Sequence, residues 1–251
     1  MPVKYLRRLT GKNRTKNANR HLGFILAFVA GAINAGGFLA VQQYTSHMTG
    51  IVSSMADNLA LGLYSPVLTG CGVLLSFLTG AACSAIMVNY SRKRHMNGEY
   101  ALPLLLEAIL LLCFGFLGAQ LSHIHGLFVS VTVMILGFIM GLQNAVITKI
   151  SKSEIRTTHI TGIITDIGIE LGKLIYWNIH EFEGEAPVIA NRDRLKVLTL
   201  LASFFFLGGL SGALGFKHVG YIATVPLALL LVVLAIAPAV DDMVVFFKKL
   251  Q

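Results

Sequence analysis

Residues 127–149 read LFVSVTVMILGFIMGLQNAVITK, and this run decides the fold class. It carries no charge before Lys149. About 20 continuous apolar residues in an α-helix match the roughly 30 Å of a bilayer's hydrocarbon, whereas a barrel strand would be about 10 residues long and would alternate. Five more runs of this kind lie at about 22–41, 66–89, 101–121, 195–216 and 219–239. Composition agrees: the 251 residues are 55% hydrophobic and only 13% charged, with a mean hydropathy of +0.72. A soluble domain carries about 25% charged residues, so this chain could not cover itself in water. The expected fold is an all-α integral membrane protein of six transmembrane helices, with the lipid bilayer as its main partner.

Two further stretches, about 46–62 and 158–178, are less apolar and carry Asp57, Asp166, Glu170 and Lys173. Charge placement argues that they do not cross. With six crossings and a cytoplasmic N-terminus, every Lys and Arg except Lys217 falls on the cytoplasmic side. With eight crossings, the basic loops at Arg92–Arg94 and 149–156 move to the outside. The net charge of +8 therefore reports topology and gives no reason to expect nucleic acid. The first apolar run follows a basic segment without a small-residue cleavage site and is read as retained. The domain organisation expected is a basic cytoplasmic tail at 1–20, one transmembrane domain at 21–240 and a cytoplasmic tail at 241–251.

Within that domain the chain repeats itself. Gly31-Ala-Ile-Asn34-Ala is answered by Gly141-Leu-Gln-Asn144-Ala, and His47-Met-Thr49-Gly50 by His159-Ile-Thr161-Gly162. Phe77-Leu-Thr-Gly80 is matched with Phe206-Leu-Gly-Gly209, and Leu102-Pro103-Leu with Val225-Pro226-Leu. Repeat 1 covers about 22–121 and repeat 2 about 127–239. Three crossings per half turn the second half over, which makes a 3+3 inverted repeat.

The two HxTG segments have helical periodicity. Ile160, Ile163, Ile164, Ile167, Leu171 and Leu174 are expected to form one apolar stripe, with His159, Asp166, Glu170 and Lys173 on another face. Met48, Ile51, Val52, Met55 and Leu59 repeat the apolar stripe, and His47, Ser54 and Asn58 the polar one, with Asp57 nearby. Two placements compete. Each helix is either re-entrant, its positive N-terminal end facing a shared cavity and an anionic or polar solute, or interfacial and lying flat. The recurrence of the same polar triplet favours the cavity. Thr49 and Thr161 then join His47 and His159 as solute contacts.

Asn34 and Asn144 stand in apolar runs beside small residues. Each amide needs partners in the bundle interior, as a solute contact or as an interhelical hydrogen bond. Glu107 lies a third of the way along its run, where a carboxyl must be paired or protonated; proton coupling and a structural pairing both remain open. With Asp57, Asp166 and Glu170 it makes up the candidate set for charge or proton coupling. His123 and His125 read as solvated turn residues rather than a metal site. Cys71, Cys83 and Cys113 sit in apolar runs without CxxC spacing, and they form no expected disulfide or metal site. There is no nucleotide-binding loop, GxSxG or HExxH, so neither a catalytic residue nor a cofactor is expected.

Gly31-Ala-Ile-Asn34-Ala, Phe38 and Thr45-Ser-His47-Met-Thr49-Gly50 resemble the opening signature of the YoaK-like bacterial membrane proteins, which carry domain of unknown function 1275 over nearly the whole chain. The resemblance runs from about residue 20 to 240 and implies a multi-pass protein of the bacterial cytoplasmic membrane. Many members carry Asp where this chain has Asn34. The function expected is a small-solute transporter or channel with its site between the HxTG helices. The alternatives are an intramembrane enzyme using His47, Asp57, His159 and Asp166, and a non-transporting scaffold; homo-oligomerisation stays open.

Overall fold

The computed structural model describes residues 9–11, 14–41, 44–120, 127–150, 159–176 and 187–248, without the side chains of 40–41, 120, 127–130 and 245–248. His123 and His125 lie outside the described residues. The described elements are helical: α1 (Lys16–Val41), α2 (Met48–Ala60), α3 (Tyr64–Lys93), α4 (Ala101–Gln120), α5 (Leu127–Ile150), α6 (Ile160–Ile175), α7 (Arg192–Val219), a 3-10 turn (Gly220–Ala223) and α8 (Thr224–Lys248). Five stretches are long and apolar enough to cross a membrane: Lys16–Leu39, Tyr64–Lys93, Ala101–Ala119, Val131–Ile150 and Arg192–Val244. The last of these comprises both α7 and α8, so each of the six apolar runs forms a long helix.

The local chemistry sets where these helices begin and end. Pro66, Pro103 and Pro226 each stand in a first turn, where the missing N–H has no intrahelical acceptor to lose. α2 stops at Gly62 (φ +71°), where the Leu63 amide reaches back to the Asn58 carbonyl at 2.8 Å. α7 stops at Gly220 (φ +64°). Both positions need the left-handed backbone that glycine adopts without strain.

Packing follows one rule used twice. α1 lies along α7, and α3 lies along α5. Phe28-x-x-Gly31 of α1 meets Phe205-x-x-Gly208 of α7. A methyl on Gly31 would collide with the Phe205 carbonyl oxygen, and one on Gly208 with the Phe28 carbonyl oxygen. Phe138-x-x-Gly141 of α5 meets Phe77-x-x-Gly80 of α3 with the same reciprocity: Gly141 against the Phe77 carbonyl, Gly80 against the Phe138 carbonyl. This corrects the sequence pairing by one residue. Phe77 and Gly80 are matched by Phe205 and Gly208, not by Phe206 and Gly209. In Phe204-Phe-Phe206 and Gly208-Gly209 two registers read alike, and only backbone contact distinguishes them. In a bilayer, where lipid is as apolar as leucine, such close backbone approach is a main source of helix association.

α1 and α5 run antiparallel. The Asn19 Nδ2 donates to the Ile150 carbonyl at 3.4 Å, and Gln143 Nε2 donates to the Leu26 carbonyl at 3.1 Å. α4 and α8 pair beside them, with Gly115 against Thr224 and Gly118 against Tyr221. The core is built from Leu22, Leu26, Leu104, Leu111, Phe114 and Leu231, all fully buried. α2 packs on α3, and α6 on α7. Each HxTG helix is therefore attached to the long helix that follows it in the chain.

At the basic end, Tyr100 is fully buried and gathers several elements. The Arg14 guanidinium stacks 4.1 Å from its ring centroid, Arg92 donates to its hydroxyl, and the hydroxyl sits 3.5 Å from the Lys149 carbonyl. The Asp242 carboxylate accepts from the Asn97 and Gly98 amides at 2.6 and 2.8 Å, fixing the turn before α4 to α8.

Candidate functional site

The HxTG helices start alike. His47 occupies the N-cap of α2 and His159 the N-cap of α6, and neither side chain caps its helix. The first helical bonds are Ile51 N–H to the His47 carbonyl at 3.1 Å and Ile163 N–H to the His159 carbonyl at 3.0 Å. The amides of 48–50 and 160–162 thus point out of the helix ends, carrying the positive end of each macrodipole. His47, Thr49, His159 and Thr161 are all exposed, and the His47 imidazole folds over Gly50.

The start of α2 is anchored within the bundle. Ser46 Oγ donates to Asn34 Oδ1 at 2.8 Å, and Thr45, fully buried near Gly37, has no hydrogen-bond partner for its Oγ1 among the described residues. Asn34 belongs to the apolar stretch Lys16–Leu39, so α2 begins at the level of that stretch. Ile51 then packs with Val73 and Val133, flanked by Met48 and Met55. Asn144 is nearly buried, and its backbone carbonyl accepts from Thr148 Oγ1 at 2.7 Å. Asp57 is exposed on the far part of α2.

α6 departs from its sequence reading. Ile160, Ile163 and Ile167 pack against the core, whereas Ile164, Leu171 and Leu174 are exposed, so the expected apolar stripe is only partly covered. Glu170 falls on the inward face with Ile163, because seven residues make nearly two turns. It is 1% exposed. Its carboxylate accepts from the Asn191 amide at 2.7 Å and from Lys173 at 3.0 Å, with Arg194 at 3.9 Å. Arg194 also pairs with Asp166 at 3.0 Å. α2 is partly covered in the same way: Met48, Ile51 and Met55 turn inward, whereas Val52 and Leu59 are exposed.

The Asn191 amide and then Lys173 hold the Glu170 carboxyl below the ordinary carboxylate range. A depressed folded value contributes stability above the unfolded value near pH 4, and that contribution disappears as pH falls through the folded value. Thermal unfolding of wild type and Glu170→Gln should accordingly differ at neutral pH and converge in acid. Parallel curves across the whole range would contradict the tie.

The structure brings Asn34 to the start of α2, and Asp166 and Glu170 to the start of α7. Among the described residues no three His, Cys, Asp or Glu side chains group as metal ligands. Glu107 is fully buried on α4, and neither carboxyl oxygen has a partner among the described residues. Gln143, Tyr100 and Arg194 escaped the sequence reading. For Gln143 the signal was present, as a second amide beside Asn144 in an apolar run. Arg194 looked like one basic loop residue among several.

No curated protein and no solved structure matches this chain. The family model described as "Protein of unknown function (DUF1275)" matches residues 22–237. The chain belongs to that family.

Proposed function

We propose that this protein is a membrane carrier or channel for a small anionic or polar solute, built as a 3+3 inverted repeat with both termini cytoplasmic. The observation that carries the proposal is the matched pair of HxTG helix starts, in which the N-cap histidine side chain does not cap the helix, each set against the long helices of its own half. Six long helices and the antiparallel arrangement of α1 and α5 support the inversion. The doubled Phe-x-x-Gly crossing supports it independently.

Re-entry is supported at both ends. α2 starts beside Asn34 and ends next to the start of α3. α6 lies antiparallel to α7, since Glu170 meets Asn191 and Asp166 meets Arg194. Continuing that register brings His159 level with about Leu201, well inside the apolar stretch. The two N-termini then point towards the middle of the membrane from opposite sides, each offering the outward amides of its first turn, a histidine and a threonine. Such half-helix ends suit the negative or oxygen-rich group of a solute. Asn34 holds the first of them through Ser46, and Asn144 occupies the equivalent place in the second half. Asp57 tunes the field at the outer mouth, while Asp166 and Glu170 are engaged in fastening α6 to α7.

Flux into proteoliposomes, screened over small anions and polar solutes, tests this directly. Losing one charge-assisted contact per site, about 1.5–3 kcal/mol each, predicts flux at least roughly tenfold lower in the His47→Ala/His159→Ala double variant. Inserted wild type that moves no solute, or a double variant equal to it, would sink the proposal.

A further inference from the structure

Glu107 is the buried ionisable group that the solute site leaves unused. Tyr100 Oη touches the Lys149 carbonyl, which sets the level of α4 against α5. Seven residues further along α4 is about two turns, so Glu107 lies on the same face, roughly 10 Å deeper. The same distance back along antiparallel α5 reaches Leu142 and Gln143, next to the Gly141 crossing. Gln143 is fully buried too. One N–H of its Nε2 goes to the Leu26 carbonyl, and its Oε1 has no partner among the described residues.

Near this level, three acceptor atoms have no partner among the described residues: both Glu107 oxygens and Gln143 Oε1. Gln143 keeps the second N–H of its amide, and Glu107 itself offers a donor only when it is protonated. Among the described residues, the elements packed on α4 bring no ion pair to it. On α5, Lys149 is at the basic end, with its ammonium on Asn89 Oδ1 at 2.9 Å. On α8, Asp241 and Asp242 are also at that end, and Asp242 is bound to the Asn97 and Gly98 amides. On the 3-10 turn, Tyr221 lies at the opposite end against Gly118. On α3, Arg92 and Lys93 close the basic end, and the thiol of Cys83 is the group nearest in level.

We propose that Glu107 is a proton-binding site within the bundle, its protonated carboxyl directed at the acceptor oxygen of Gln143. A proton answers a fully buried carboxyl with both oxygens unpartnered in the least space, because it removes the charge and turns one acceptor into a donor. Binding is simple: carboxylate plus proton gives the neutral acid. Its place beside the Gly141 crossing suits a proton whose movement drives the solute; that coupling rests on the transport proposal, whereas the binding site does not.

The test is labelling of purified full-length protein with dicyclohexylcarbodiimide, which adds across the protonated carboxyl to give an N-acylurea. Peptide mass mapping should find the adduct on Glu107, forming more slowly as pH rises and unaffected by Na+ or K+. An infrared carboxylic C=O band should accompany it and vanish in Glu107→Gln. A pH-independent adduct would overturn the proposal. Protection by Na+ or K+ would also do so, by assigning the acceptors to a metal cation. Absence of both adduct and band from monodisperse wild type would remove the site altogether. A protein that transports without a protonated Glu107 would retain only the solute proposal, and a protonated Glu107 in a flux-silent protein would retain only the proton site.

Discussion

Alanine at Gly141 is expected to destabilise the protein by about 1–3 kcal/mol, read as a lower midpoint in SDS-induced unfolding from detergent micelles. The added methyl would fall on the Phe77 carbonyl, with the Phe77 Cα only 3.0 Å away. Both are backbone atoms, so no rotamer change relieves the overlap and α3 must move away from α5. Gly80→Ala attacks the same crossing from the other side, against the Phe138 carbonyl and the Leu142 nitrogen at 3.1 Å. The reciprocal pair on α1 and α7, Gly31→Ala and Gly208→Ala, should behave alike. Gly168→Ala is the contrasting case. A methyl there meets nothing within 4 Å, and alanine favours the helix by about 0.8–1 kcal/mol, so stability should hold or rise. If Gly141→Ala and Gly168→Ala unfolded alike, the crossing would not be where the structure puts it.

Tyr100→Ala is expected to have a still larger effect, about 3–5 kcal/mol by analogy with other buried aromatic truncations. Its ring is fully buried where the N-terminal segment, the end of α3 and the end of α5 converge. Removing it opens a cavity and strips Arg14 of the ring face on which its guanidinium rests. Tyr100→Phe keeps the ring and loses only the hydroxyl contacts, so it should lose about 0.5–1.5 kcal/mol. Both variants can be compared by the same SDS titration. A Phe variant as unstable as the Ala variant would move the weight from packing to the hydroxyl.

Much of this architecture was legible before any coordinate. The run at 127–149 and its five companions each became a long helix, because a continuous apolar segment of that length has one way to satisfy its backbone in lipid. Both HxTG segments became short helices with a histidine at the N-cap. The site was legible only in outline. Glu170 looked like part of a polar stripe, yet its carboxylate is buried against the Asn191 amide, a partner 21 residues away that no local pattern announces. Glu107 stood out as a carboxyl in an apolar run, but what lies at its level depends on how α4 meets α5.

Helix number, helix length, the doubled HxTG motif and the lopsided placement of Lys and Arg follow from the sequence itself, because each depends on composition or on spacing within one segment. Which helices cross, and in what register, was decided only in the tertiary structure. Phe204-Phe-Phe206 followed by Gly208-Gly209 offers two alignments one residue apart, equal in hydrophobicity and nearly equal in shape. Contact with the Phe28 carbonyl selects Gly208, because backbone can approach backbone only where the side chain is absent from the facing position.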